Sequence, residues 1–300
     1  MNTASVVRLI LLSAIWGASF LFMRIGVPVL GPSVLIFARV ALATLFLLLV
    51  AGYFRRAPGV RARWQHFLVL AFFNSALPFL LLAWSAQTLS ASLLSILNAT
   101  APIWAAAIGA AWMGTRLAAK SLLGLLLGIA GVGLLAGVES YSLPAGGVTA
   151  ILAGLGAACC YGIATIYTRT AASVAPFSNA IGSMAGATLW LLPTLWFVPL
   201  PRAVPAWPVT VSVIALGVLC SGVAYLLYFR LVEDIGPTST LTVTFLIPVF
   251  GILWGTLFLD ETVGWHTAAG CLVVLTGTGL VTGFPARALF SRQAPARQRQ

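Results

Sequence analysis

Three times in this chain a polar side chain stands four residues before a proline, inside otherwise apolar sequence. They are Asn74 before Pro78, Asn98 before Pro102 in SILNATAPIW, and Thr244 before Pro248 in TVTFLIPVFGILWG. Proline has no amide hydrogen, so within a helix it leaves the carbonyl four residues earlier without its usual donor. Each site therefore pairs an unmet backbone acceptor with a carboxamide or a hydroxyl. Groups of this kind bind rather than make bonds: lipid would leave them unsatisfied, whereas a water-filled cavity or a ligand would not. The plainer alternative is that the prolines kink their helices while the polar groups bond to neighbouring helices.

Aromatic residues fall in helical register with small polar ones. Ser13, Trp16, Gly17 and Phe20 share one face by i, i+3, i+4 and i+7 spacing, as do Tyr161 with Thr165 and Ser221 with Tyr225 and Tyr228. Trp16, Tyr161 and Tyr225 lie deeper in their apolar runs than interfacial anchors do, which leaves pocket lining or packing between helices. Arg39 is the one basic residue well inside a run, roughly 9 Å from its nearer end. A substrate carboxylate would be its natural partner, and snorkelling to the interface is the other reading. The candidate binding set is thus Trp16, Phe20, Arg39, Asn74, Pro78, Asn98, Pro102, Tyr161, Thr165, Tyr225, Thr244 and Pro248.

Catalytic and metal chemistry finds little support. The acids Glu139, Glu233, Asp234, Asp260 and Glu261 all sit in loops or at helix ends, and His66 and His266 each begin a run. Cys159, Cys160, Cys220 and Cys271 show no metal-ligand spacing and read as small membrane residues. Neither G-x-x-x-x-G-K-[ST] nor H-E-x-x-H occurs, so neither ATP hydrolysis nor zinc chemistry is expected, and no cofactor.

The elements that must position these residues are membrane helices. Of 300 residues 61% are hydrophobic and 7% charged, with mean hydropathy +1.06, a composition no soluble domain shows. Ten apolar runs are near the length a bilayer core requires, at about 6–27, 33–52, 65–85, 91–113, 119–137, 148–169, 178–198, 209–231, 238–259 and 265–284. The first is too long for a signal peptide's apolar region and is expected to be retained. Net charge +11 does not imply nucleic acid. With a cytoplasmic N-terminus, thirteen basic residues fall inside, Arg24 and Arg202 fall outside, and both termini are cytoplasmic. The tail at 285–300 reads as a basic segment near anionic lipid.

The runs repeat. Residue n over n+145 aligns Trp16 with Tyr161, Gly17 with Gly162 and Arg24 with Arg169. After one residue of slippage Pro102 meets Pro248, Gly109 meets Gly255, Gly124 meets Gly270 and Gly131 meets Gly277. This divides the chain into a five-helix half at 1–137, a periplasmic linker at 138–147, a second half at 148–284 and the tail. Five is odd, so the second half enters from the opposite side and the repeats are inverted, an architecture common among secondary transporters. The glycine-rich runs in spans five and ten fit close helix packing, within a monomer rather than across a homodimer.

These two halves, the L-D-E of Leu259 to Glu261 and the tenth run GCLVVLTGTGLVTG resemble the EamA-type transporters of the drug/metabolite transporter superfamily, over nearly the whole chain. Within that family the general likeness is to the YddG-type exporters of aromatic and other amino acids. The resemblance implies a central cavity lined by spans one, three, four, six, eight and nine. The first half departs from the pattern at Gly114 and Thr115, where an acid matching Glu261 is missing, so a paired role for the loop acid is not expected. The resemblance and the neutral, aromatic, amide-bearing candidates together imply a bacterial inner-membrane exporter of small neutral or zwitterionic metabolites, amino acids foremost. It would be facilitative, because no mid-span carboxylate is present to carry protons. Exporters of drugs, nucleosides or sugars, and a non-transport membrane scaffold, are the alternatives.

Overall fold

The computed structural model describes residues 3–55, 63–139, 146–171, 174–201 and 203–283. The expected linker at 138–147 falls largely outside the described residues, and the tail at 285–300 wholly outside them. The described residues are helical almost throughout: α1 (Thr3–Tyr53), α2 (Trp64–Ala71), α3 (Leu77–Ser85), α4 (Ala91–Asn98), α5 (Ala101–Met113) and α6 (Ala119–Glu139). There follow α7 (Gly147–Thr170), α8 (Pro176–Leu191), α9 (Trp207–Ile214), α10 (Ala224–Thr240), α11 (Thr242–Leu259) and α12 (Trp265–Thr282). Among the described residues eight helices or runs of helices are long and apolar enough to cross a membrane, and Ala119–Leu135 is a shorter apolar one.

A straight helix the length of α1 would extend about 75 Å, more than twice a hydrocarbon core. It bends at Gly31, whose φ of 71° and ψ of 164° are not helical. The cause is local: Pro32 excludes the residue before it from the α region, and glycine tolerates positive φ. The two arms fold together so closely that a Cβ on Gly26 would lie 2.8 Å from Leu35. Gly236, followed by Pro237, repeats the device near the end of α10, with φ of 80° and ψ of 161°.

Contacts in one half have counterparts in the other. Gly17 of α1 lets the backbone of α11 approach, a Cβ there meeting Phe250 Cβ at 2.7 Å and Gly251 N at 3.0 Å. Gly162 of α7 does the same for α5, at 2.9 Å from both Trp104 Cβ and Ala105 N. The repeat register relates Gly17 to Gly162 and Phe250 to Trp104, so these are one contact made twice. Helices α6 and α12 cross antiparallel, Gly124 lying against Gly277 and Gly131 against Gly270 and Val274.

That crossing leaves no room for side chains. A Cβ at Gly124 would sit 2.5 Å from the carbonyl oxygen of Gly277, a backbone atom that cannot rotate aside, whereas nothing lies within 4 Å of one at Gly133. Gly124→Ala is therefore expected to lower the melting temperature of the detergent-solubilised protein through about 1–3 kcal/mol of overpacking. Gly133→Ala should leave it unchanged or slightly higher. Equal melting temperatures for the two variants would mean that the crossing is not tight.

Candidate functional site

The halves enclose a cavity of about 550 Å³, within the range of small-molecule sites. Its wall takes residues from both. From α1 come Trp16, Ser19, Phe20, Met23 and Arg39; from α7, Tyr161, Thr165 and Arg169; and from the run ending in α10, Cys220, Tyr225 and Tyr228. Asn74, Phe79 and Asn98 also line it, with Pro102, Thr244 and Thr282. No aspartate or glutamate does so among the described residues. Ten of the twelve candidate positions thus share one chamber, and Pro78 and Pro248 stand off the wall.

The structure treats the three prolines differently from the single device expected. Phe72–Ala76 is a π-helical turn, in which Leu77 N donates to Phe72 O, and Pro78 enters the first turn of α3, where a missing N–H costs little. A π turn adds a residue, so the face carrying Asn74 continues at Phe79, five residues on, and Pro78 is turned away. At Asn98 the helix ends and α5 restarts at Ala101, so Pro102 begins a helix rather than kinking one. Thr278 from the other half donates its hydroxyl to the Ala99 carbonyl at 3.0 Å, while Asn98 Oδ1 has no hydrogen-bond partner among the described residues. Pro248 does lie inside its helix, but in the half of α11 that packs against α4, where a Cβ on Gly251 would collide with Ser95. The Thr244 hydroxyl turns back to the Leu241 carbonyl.

A second π-helical run, Ala215–Val223, sits at the repeat-equivalent place. Periodicity of 3.6 could not reveal either, because a one-residue slip inside a mostly apolar run leaves too few polar residues beyond it to mark the rotated face. Each carries a polar junction between the halves. Ser75 Oγ lies 2.8 Å from Ser183 Oγ, and Asn74 Nδ2 donates to Ser183 Oγ at 3.3 Å and to the Tyr225 hydroxyl at 3.2 Å. At the second π-helical run Arg39 Nε donates to Ser221 Oγ at 2.9 Å.

Arg39 does not snorkel. It is 4% exposed, and its guanidinium carbon lies 3.7 Å over the centroid of the Phe79 ring. Trp16 packs on Tyr228 at 5.6 Å and edge-on to Tyr225 at 6.5 Å. The expected face on the first helix is split: Ser13 bonds to the Leu9 carbonyl and Gly17 packs on α11, while Ser19 and Met23 extend the wall from Trp16 and Phe20. Cys220, read from sequence as a mere small residue, faces the chamber and donates to the Ile15 carbonyl.

The chamber reaches the end of the molecule where Arg169, Leu241 and Thr282 stand, and where Arg8 pairs with Asp234. The far end is shut. There Glu261 accepts from Ala91 N at 2.7 Å, Ser92 N at 3.1 Å and Ser92 Oγ at 2.7 Å, capping α4 from the second half. Thr115, its repeat mate, gave reason to set this acid aside; the structure uses it in one half only.

Fold and chamber together define a polytopic membrane protein that holds a ligand-sized site between two like halves. The EamA-like transporter family model matches residues 4–137 and again 148–283, and the chain belongs to that family. It is a membrane transporter, not an enzyme. The chain is 24% identical over 284 residues to the uncharacterized transporter YvbV of Bacillus subtilis (strain 168), across 93% of this chain and 92% of that one. It is 26% identical over 303 residues to an uncharacterized transporter of Archaeoglobus fulgidus, across 94% and 98%. A solved crystal structure shares the fold, with TM-score 0.65 at 18% identity over 97% of this chain and 100% of that one.

Proposed function

We propose that the protein is a facilitative secondary transporter that exports small neutral or zwitterionic metabolites, aromatic and other amino acids foremost, by alternating access. The observation that carries this reading is the chamber itself. It is aromatic and amide-bearing, it takes its wall from both halves, and no carboxylate reaches it among the described residues. Such a wall suits an apolar side chain beside a polar head and disfavours lipophilic cations. It fits the narrower likeness to the YddG-type exporters.

The topology goes with it. If each arm of α1 and Ala119–Glu139 are spans, the chain crosses ten times as two inverted five-helix halves. The distribution of arginine then favours cytoplasmic termini, and the proposed location is a bacterial inner membrane with the chamber open inward. The proposed unit is a monomer in lipid.

Counterflow in proteoliposomes tests the reading, with labelled phenylalanine, leucine, a nucleoside, a sugar and a lipophilic cation. Phenylalanine and leucine should exchange, and an imposed pH difference should not drive either uphill, because no carboxylate lines the chamber among the described residues. Exchange of the nucleoside, sugar or cation but of no amino acid would overturn the substrate assignment. Accumulation driven by a pH jump and abolished by a protonophore would overturn the facilitative one.

A further inference from the structure

We propose that Arg39 is the carboxylate-receiving residue of the chamber, so that the molecule bound there carries a carboxylate next to its apolar part. This deepens the reading above and rests on the chamber being the substrate site. Arginine stays charged under any ordinary condition, and a charge withdrawn from water must be paired or returned to water. Arg39 has done neither fully. At 4% exposure it is not at an interface. Among the described residues no carboxylate pairs with it, and the pairs of Arg8 with Asp234 and of Arg230 with Glu233 and Asp234 lie at helix ends.

What Arg39 has instead is orientation. Phe79 covers one face of the guanidinium, and Nε is engaged by Ser221. The two Nη groups have no hydrogen-bond partner among the described residues, on a side chain that lines the chamber. A pair of parallel Nη donors held in a fixed plane is the geometry that matches a carboxylate bidentately.

A purely structural role is disfavoured by the protein's own second copy of the junction. The repeat mate of Arg39 is Met184, which is fully buried. There the corresponding helices are joined by the neutral hydroxyl pair of Ser75 and Ser183. The fold thus closes one copy of this junction without a charge. The arginine in the other copy is extra, and it faces the shared chamber.

The test is a matched set of four probes, phenylalanine, phenylalaninamide, phenethylamine and 3-phenylpropionate, measured by thermal stabilisation of the purified protein and by competition with phenylalanine counterflow. Phenylalanine and phenylpropionate should stabilise and compete, and the two probes without a carboxylate should be weaker by at least about tenfold. In Arg39→Gln that preference should fall to none while any binding of the amide is unchanged, a change in selectivity that a general loss of packing would not produce. Should Arg39→Gln fail to fold, Arg39→Lys must retain part of the preference and Ser221→Ala must reduce it. Stabilisation by phenylpropionate that vanishes in Arg39→Gln would uphold the site even if no amino acid is transported. A preference that survives Arg39→Gln, or stabilisation by amine and amide but by neither carboxylate, would overturn it.

Discussion

A disulfide between Ala105→Cys and Leu241→Cys is expected to form during turnover and to stop transport, with activity restored by reductant. The closed end of the chamber is made where α4 meets α11, Ser95 seated against Gly251 and Ser92 3.1 Å from the Cβ position of Gly255. The repeat offset of 146 residues carries Ser95 onto Leu241 and Gly251 onto Ala105. If the halves are inverted, as proposed, they exchange conformations when the transporter changes the side to which it opens. The contact that closes the opposite end should therefore be that of Leu241 with Ala105, both of which line the open chamber in this structure. The pair is introduced after replacing Cys159, Cys160, Cys220 and Cys271, and cross-linking is followed by gel shift beside counterflow. Cross-linking that leaves counterflow intact, or none at all while the carrier is cycling, would rule out this closure.

Replacing Glu261 with alanine should have the largest effect on the opposite end. One carboxylate there satisfies two backbone N–H groups and a hydroxyl at the start of α4, where the helix dipole also favours negative charge. Charge-assisted bonds of this kind contribute about 1.5–3 kcal/mol each when lost from a protected site. Because Ser90 also caps α4, bonding Leu93 N at 3.1 Å, the helix itself should survive. The loss falls on the tie between halves. The melting temperature should fall by roughly 3–10 °C, and the population should shift toward the state open at the α4 end. Cys220, the one cysteine on the chamber wall among the described residues, is the reporter. A membrane-impermeant maleimide added from the α4 side should label it faster in Glu261→Ala than in the parent, and Glu261→Gln should fall between. Unchanged labelling in both variants would make the carboxylate a local cap with no part in gating.

Much of this protein is legible in its sequence. Apolar runs with charge confined to their ends dictate helices in lipid, because backbone groups there have no other partners. A repeat written in Gly17 and Gly162, Pro102 and Pro248 can be read by aligning the chain with itself. The residues of the chamber wall are also largely marked, since Asn74, Asn98, Trp16, Tyr161 and Tyr225 are expensive to leave in hydrocarbon and so point to a place that is not hydrocarbon. Tertiary structure decided the rest. The π turns at Phe72–Ala76 and Ala215–Val223 are one-residue slips that leave composition untouched but rotate the helix beyond them, which is why Phe79 and not Pro78 reaches the chamber. Whether Arg39 reached for the interface or stayed inside depended on Ser221 and Phe79, one of them 182 residues away. Glu261 gained its partner only when α4 from the other half was brought beside it. A sequence records the cost of a polar group in a membrane, but the partner that meets that cost is set by which helices become neighbours.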